Sequence, residues 1–177
     1  ASLGTTIDKI EPFIERLQKR YPVFEEYLVE NPRQAIRDGF LVNPFGRKRR
    51  FPPTLDERVV EEQARQAGNF GSQSSAAYSI RAALYRIATA FERVGMASYP
   101  FDCVYDSIIT ESPDDEVQDA SHIMAQEMLA PVPELDNHVF GIELGIGQNW
   151  QESEKNAKKL YSMADLENFN FEEVIHG

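Results

Sequence analysis

The run Asp102-Cys103-Val104-Tyr105-Asp106-Ser107-Ile108-Ile109-Thr110-Glu111 sets one carboxylate, Asp106, between apolar and β-branched flanks. That enrichment reads as two short strands, with Tyr105-Asp106-Ser107 as the tight turn between them. A carboxylate at the tip of a stiff hairpin cannot wander, which suits a metal ligand better than a solvated charge on a loose loop. Taken alone, the run is better explained as an ordinary turn aspartate, because Asp favours turns for local hydrogen-bonding reasons.

Other residues carry weaker signals. Asn69 and Gln73 stand four apart, a spacing that in a helix puts both amides on one face. Alone, they more readily cap or turn a loop around Gly68 and Gly71. The run Arg47-Lys48-Arg49-Arg50 suits either nucleic-acid phosphates or the solvated face of a hairpin. Cys103 is the one cysteine, which excludes an internal disulfide and a cysteine-based zinc site; it reads as a small buried hydrophobe in a reducing compartment. His122, His138 and His176 show no metal spacing and read as structural.

The chain of 177 residues can bury one good core or two small subdomains. Its net charge of −11 is unevenly laid out. Of the 18 Lys and Arg, 15 lie in residues 1–100, against 12 of the 29 acids, and residues 101–150 carry no Lys or Arg. A polyanion could approach the first half, whereas the second suits divalent cations. No apolar run reaches membrane-spanning length and no signal-peptide pattern opens the chain, so a soluble, cytoplasmic protein without a membrane partner is expected.

The elements that must position these residues follow from periodicity. Ile7, Ile10, Phe13, Ile14 and Leu17 recur at helical spacing up to Tyr21-Pro22, with Thr6 as N-cap. A second helix carries Phe24, Tyr27, Leu28, Ala35 and Ile36, kinked or restarted at Asn31-Pro32 and closed by Gly39. Phe40 to Phe51 reads as a hairpin with an irregular turn. Thr54 and Glu57 form a capping box before a helix that Gly68 and Gly71 interrupt. A long amphipathic helix is predicted from Ser74 to about Val94, stopped by Gly95. After the Asp106 hairpin come a helix from Asp114 to Leu129 and a strand over Val139 to Ile146. In residues 151–177, Leu160, Met163, Leu166 and Phe169 could form one amphipathic turn set.

Several stretches together resemble family A DNA polymerases, the bacterial repair polymerase and its phage and mitochondrial relatives. Residues 102–111 resemble the segment V-H-D-E-L-V-F-E. Leu17 to Tyr27 is similar to F-x-R-Y-P-x-V-x-x-Y, and Gly39 to Pro52 to G-Y-V-x-T-x-x-G-R-R-R-x-L-P. Arg65 to Ala77 is similar to R-x-A-x-N-x-P-x-Q-G-T-A-A, and Gly141 to Trp150 to V-E-V-G-x-G-x-N-W. They stand in the family's order over residues 7–150.

The resemblance, phage-like in character, implies an α+β fold: part of a polymerase palm and fingers, with long helices packed on a small antiparallel sheet. Residues 1–95 would hold fingers-derived helices, the basic hairpin and the long helix. Residues 96–150 would hold the palm hairpin, a helix and a closing strand, and 151–177 a C-terminal extension. It further implies that Asp106 is catalytic and binds Mg2+, one of two aspartates gripping two ions about 3.5–4 Å apart. Tyr105 and Ser107 replace the family's usual His and Glu beside it. Asn69 and Gln73 match amides that contact the minor groove, where every base pair offers an acceptor. Arg65 matches an arginine near the template strand, and Arg47 and Arg49 would meet phosphate. The expected partners are primer-template DNA and deoxynucleotides. The family's other aspartate strand and its nucleotide-gripping helix do not appear, so an N-terminal polymerase fragment is expected to supply them, and the chain alone to be inactive. The alternatives are a subunit of a split polymerase and a non-catalytic nucleic-acid-binding remnant.

Overall fold

A computed structural model describes residues 7–171, with side chains from residue 10 onward. Thr6 and His176 lie outside the described residues, as does the side chain of Ile7. The chain divides into two compact units, Ala1–Ser74 and Ser75–Gly177.

The first unit opens with α1 (Ile7–Arg20) and α2 (Pro22–Asp38). Pro22 begins α2 because its missing N–H would have no helical acceptor there. Gly39, at φ 74°, ends it by donating its N–H to the Ala35 carbonyl at 3.0 Å. No restart occurs at Pro32, which sits inside one continuous helix. Strands β1 (Phe40–Val42) and β2 (Lys48–Arg50) form the expected hairpin, with Leu41 opposite Arg49. Its turn is organised by Asn43, only 4% exposed: its Oδ1 accepts from the N–H groups of Phe45 and Arg47, and its Nδ2 donates to Ser74 Oγ at 3.0 Å.

Helix α3 (Glu57–Val94) corrects two expectations. The cap is Asp56 rather than the Thr54–Glu57 box, for Asp56 Oδ1 accepts from Arg58 N–H at 2.9 Å while Thr54 Oγ1 accepts from Asp56 N–H. The helix also passes through Gly68 and Gly71 without a break. A Cβ at Gly71 would lie 3.1 Å from Tyr27 Cζ and closer still to its hydroxyl, so that glycine makes room for α2 against α3. Ala35, Leu41, Phe51, Ala67 and Phe70 form the core of this unit.

The second unit takes up α3 from Ser75. It adds β3 (Tyr99–Val104), β4 (Ser107–Glu111), α4 (Val117–Met128), β5 (Ile142–Leu144), α5 (Trp150–Lys155), β6 (Lys158–Leu160) and α6 (Met163–Glu167). Gly95, φ 74°, stops α3 as expected. Ile87, Phe91 and Ala120 pack together, with Ile108 and Met124 against them. A second cluster joins Ala125, Leu129 and Leu144 to Leu160, Leu166 and Phe171. The fold is α+β, but its strands make separate antiparallel ribbons rather than one sheet. The region after 150 is not a single amphipathic stretch: it runs helix, strand, helix, and three of its residues close a core. The strand expected over Val139 to Ile146 pairs only at Ile142–Leu144, against β6.

Helix α4 begins later than expected, at Val117, with Glu116 in the N-cap position. Its carboxylate accepts from the N–H groups of Ala97 and Ser98 and from Ser98 Oγ, at 2.6–2.9 Å. The Ala97 N–H, then the Ser98 hydroxyl, hold this carboxyl below the ordinary glutamate range. A depressed carboxyl stabilises the fold above its unfolded value and loses that contribution as pH falls through the folded one. Glu116→Ala is therefore expected to lower Tm at pH 7, and the gap from the native chain should close in thermal melts run progressively below pH 4.5. A gap that persists unchanged into strong acid would rule this latch out.

Candidate functional site

Strands β3 and β4 pair antiparallel, and the pair Val104–Ser107 closes a turn of two residues, Tyr105 and Asp106. Ser107 is thus the first residue of β4 rather than part of the turn. The apolar flanks explain the geometry: Ile108 packs on the Ile87–Phe91 cluster and anchors the hairpin, leaving the tip in solvent. Asp106 is exposed, and no hydrogen bond or ion pair engages its carboxylate among the described residues. Tyr105 beside it is 94% exposed and takes φ 55°. Both oxygens of Asp106 are available to a hard cation, so the residue fits as one ligand of Mg2+. Among the described residues no group of three or more His, Cys, Asp or Glu converges to hold a metal ion.

In the first unit, Arg65, Asn69 and Gln73 are all exposed on the helical part of α3, at successive intervals of four. They form one row, with neighbours about 6 Å apart along the axis. Arg65 is not idle: its Nη2 and Nε reach Glu62 Oε2 at 2.6 and 3.0 Å. That guanidinium, together with the amide of Gln66, holds the Glu62 carboxyl below its ordinary range. Gln66 Oε1 also accepts from Arg49 Nη2, so Arg49 and Arg65 belong to one polar network. Arg49 in turn lies 5.5 Å over the Phe51 ring. Arg47 stands outside this network, tied through its backbone N–H to Asn43. Glu62 and Gln66 went unnoticed in the sequence, although Glu62 three residues before Arg65 is a legible helical ion pair.

The segment Gly145 to Trp150 serves a structural end. Asn149 caps α5 by accepting from Glu152 N–H, while Glu152 Oε2 accepts from the N–H of Gln148, the residue before the cap. A Cβ at Gly145 would strike the Ser153 carbonyl. Between this segment and β4 lies a cleft of about 1430 Å³ lined by Phe101, Ile109, Glu111, Trp150 and Lys155 among others. Among the described residues β4 pairs only with β3, and β5 only with β6. No helix among them is long and apolar enough to cross a membrane.

Comparison with known proteins bears on this arrangement. The family model for DNA polymerase family A matches residues 1–152. The thermostable DNA polymerase I of Thermus aquaticus is 28% identical over 151 residues, covering 84% of this chain and 18% of that protein. DNA polymerase I of Treponema pallidum is 31% identical over 121 residues, 67% of this chain and 12% of that protein. A solved structure, the POL domain of Pol1 from M. smegmatis in complex with DNA primer-template and dNTP, is similar at a TM-score of 0.66 and 25% identity. It covers 72% of this chain, which spans 23% of that one. The chain thus spans less than a fifth of the curated relatives' length, and these named relatives are bacterial, which lends no support to a phage-like character. The match of residues 1–152 to the family model shows that the chain belongs to DNA polymerase family A.

Proposed function

We propose that this chain is a portion of a DNA-directed DNA polymerase. In this reading Asp106 is one of two aspartates that hold Mg2+ during template-dependent nucleotidyl transfer. The observation that carries it is the free, exposed Asp106 carboxylate fixed on a two-residue turn within the family-matched residues. Bound there, the ions would supply an acidified primer 3′-hydroxyl and neutralise charge on the departing pyrophosphate. The chain's own part is to hold that oxygen still. Residues 1–95 contribute fingers and the duplex-facing helix, 96–150 the palm hairpin. Arg65 exchanges Glu62 for a template phosphate, while Asn69 and Gln73 donate to minor-groove acceptors, and Arg47 and Arg49 add phosphate contacts. The partners are primer-template DNA, deoxynucleotides and a further polymerase segment bearing the second aspartate, and the setting is cytoplasmic. The open cleft beside β4 leaves room for that segment.

A second reading, a non-catalytic DNA-binding remnant, draws on the absence of a converging ligand group among the described residues and on Ser107 where the family carries Glu. Mixed with a family A fragment that carries the other aspartate strand, the chain extends a primer on the first reading and leaves it unextended on the second. Both readings require duplex binding that weakens steeply with salt. Arg65→Ala is expected to reduce the slope of log K against log salt by about 1, measured by fluorescence anisotropy. An unchanged slope would remove Arg65 from the interface.

A further inference from the structure

We propose that Glu62 is a positioning residue that stands in for DNA phosphate: its carboxylate holds the Arg65 guanidinium between contacts and speeds release of the duplex. The inference rests on the reading of Arg65 as a phosphate contact given above. Its first support is shape. Glu62 presents both oxygens to the Nε–Nη2 edge of Arg65, with Nε–Oε2 at 3.0 Å and Nη2–Oε1 at 2.8 Å. A phosphate offers a guanidinium the same two-pronged grip, so carboxylate and phosphate compete for one edge. The second support is access. The Arg65 side chain is 71% exposed and that of Glu62 45%, so a polyanion meets the guanidinium directly from solvent.

The third support is fixation. Gln66 Nε2 donates to Glu62 Oε1 at 2.7 Å, and Gln66 Oε1 accepts from Arg49 Nη2. These bonds keep the carboxylate facing Arg65, where a tethered acid acts at a far higher effective concentration than any acid in solution. The Arg65 guanidinium first, and the Gln66 amide next, hold Glu62 below the ordinary carboxyl range, so it is charged when the duplex arrives. An anion beside a phosphate contact weakens binding, which is a pure cost to a protein that only holds DNA. It has value to one that passes the duplex along after each addition, because Arg65 regains a partner as each phosphate departs. The effect falls on dissociation, since a tethered competitor acts once phosphate is bound, whereas a general change of surface charge alters the rate of approach.

The test uses the full chain and a fluorescent primer-template duplex, with association and dissociation followed by stopped flow at fixed salt, the latter after a chase of unlabelled duplex. Arg65→Ala is expected to dissociate faster than the native chain. Glu62→Gln is expected to dissociate about fivefold more slowly, the upper range for an exposed ion pair in good geometry, with its association rate within about twofold of native. In the Arg65→Ala background, Glu62→Gln should leave dissociation unchanged. Dissociation of Glu62→Gln at the native rate would overturn the inference. So would a gain confined to association, or an equal slowing in the Arg65→Ala background. A native chain that binds no duplex, or an Arg65→Ala variant that dissociates as the native chain does, would overturn the reading of Arg65 and this inference with it.

Discussion

Asp106→Ala should abolish primer extension in a mixture of this chain with a family A fragment that carries the other aspartate strand. The rate should fall by on the order of 10³ or more, because a transition state that accumulates charge on phosphoryl oxygens loses a fixed ligand to its metal ions. The substitution is clean in a physical sense. The carboxylate is exposed and engages no other described group, so its removal should leave thermal stability within about 0.5 kcal/mol of the native chain. Duplex affinity should persist too, since the proposed DNA contacts of α3 belong to the other compact unit. Asp106→Asn is the sharper control: it keeps the shape and one oxygen but not the charge, and should be nearly as inactive. The chain without the fragment should extend no primer. Incorporation that survives Asp106→Ala in the mixture, measured as product per unit time on a gel, would end the catalytic assignment.

Much of what positions Asp106 could be read from residues alone, and the reason is local. Its two flanks are β-branched and apolar, and a strand pair with a short turn needs nothing from elsewhere in the chain to be recognised. Gly39 and Gly95 were legible for the same cause, each following a helical pattern that ends at a residue able to take φ near +74°. What stayed hidden depends on distant neighbours. Gly71 looks like a helix breaker until the Tyr27 ring against it is seen, 44 positions away in sequence. Asn43 looks like an ordinary turn residue until its bond to Ser74 shows that it ties the basic hairpin to α3. Thr54 and Asp56 both suit an N-cap, and only the geometry chooses between them. The amide row on α3 became a row only once the helix ran unbroken through both glycines. The site was thus half readable: its residue types and spacing were on the surface of the sequence, whereas the polar network joining Arg49, Gln66, Glu62 and Arg65 was not.

A chain ending at Asn156 is expected to lose the cooperative fold of its second unit, although it keeps every residue that the family model matches. Strand β6 is three residues long and has no periodicity to announce it, yet it is the partner of β5. Leu160 and Leu166 are exposed by only 2% and 1%, and Phe171 by 8%; all three cover Ala125, Leu129 and Leu144. Truncating any one such side chain to alanine typically costs about 2–5 kcal/mol, and a whole domain is stable by only about 5–15. Removing all three together, with the β5–β6 hydrogen bonds, therefore consumes a stability of that size. The loss should appear as vanished near-ultraviolet circular dichroism and a shallow, non-cooperative melt. Single substitutions distinguish packing from mere chain length: Leu166→Ala should lower stability by about 2–5 kcal/mol, while Met163→Ala on the same helix, 39% exposed, should stay within about 0.5. A truncated chain that melts cooperatively at the native temperature would show that the residues after 156 merely lie on a core complete without them. The opposite result would mean that the part of this chain beyond its family match has become a structural member of the unit that carries Asp106.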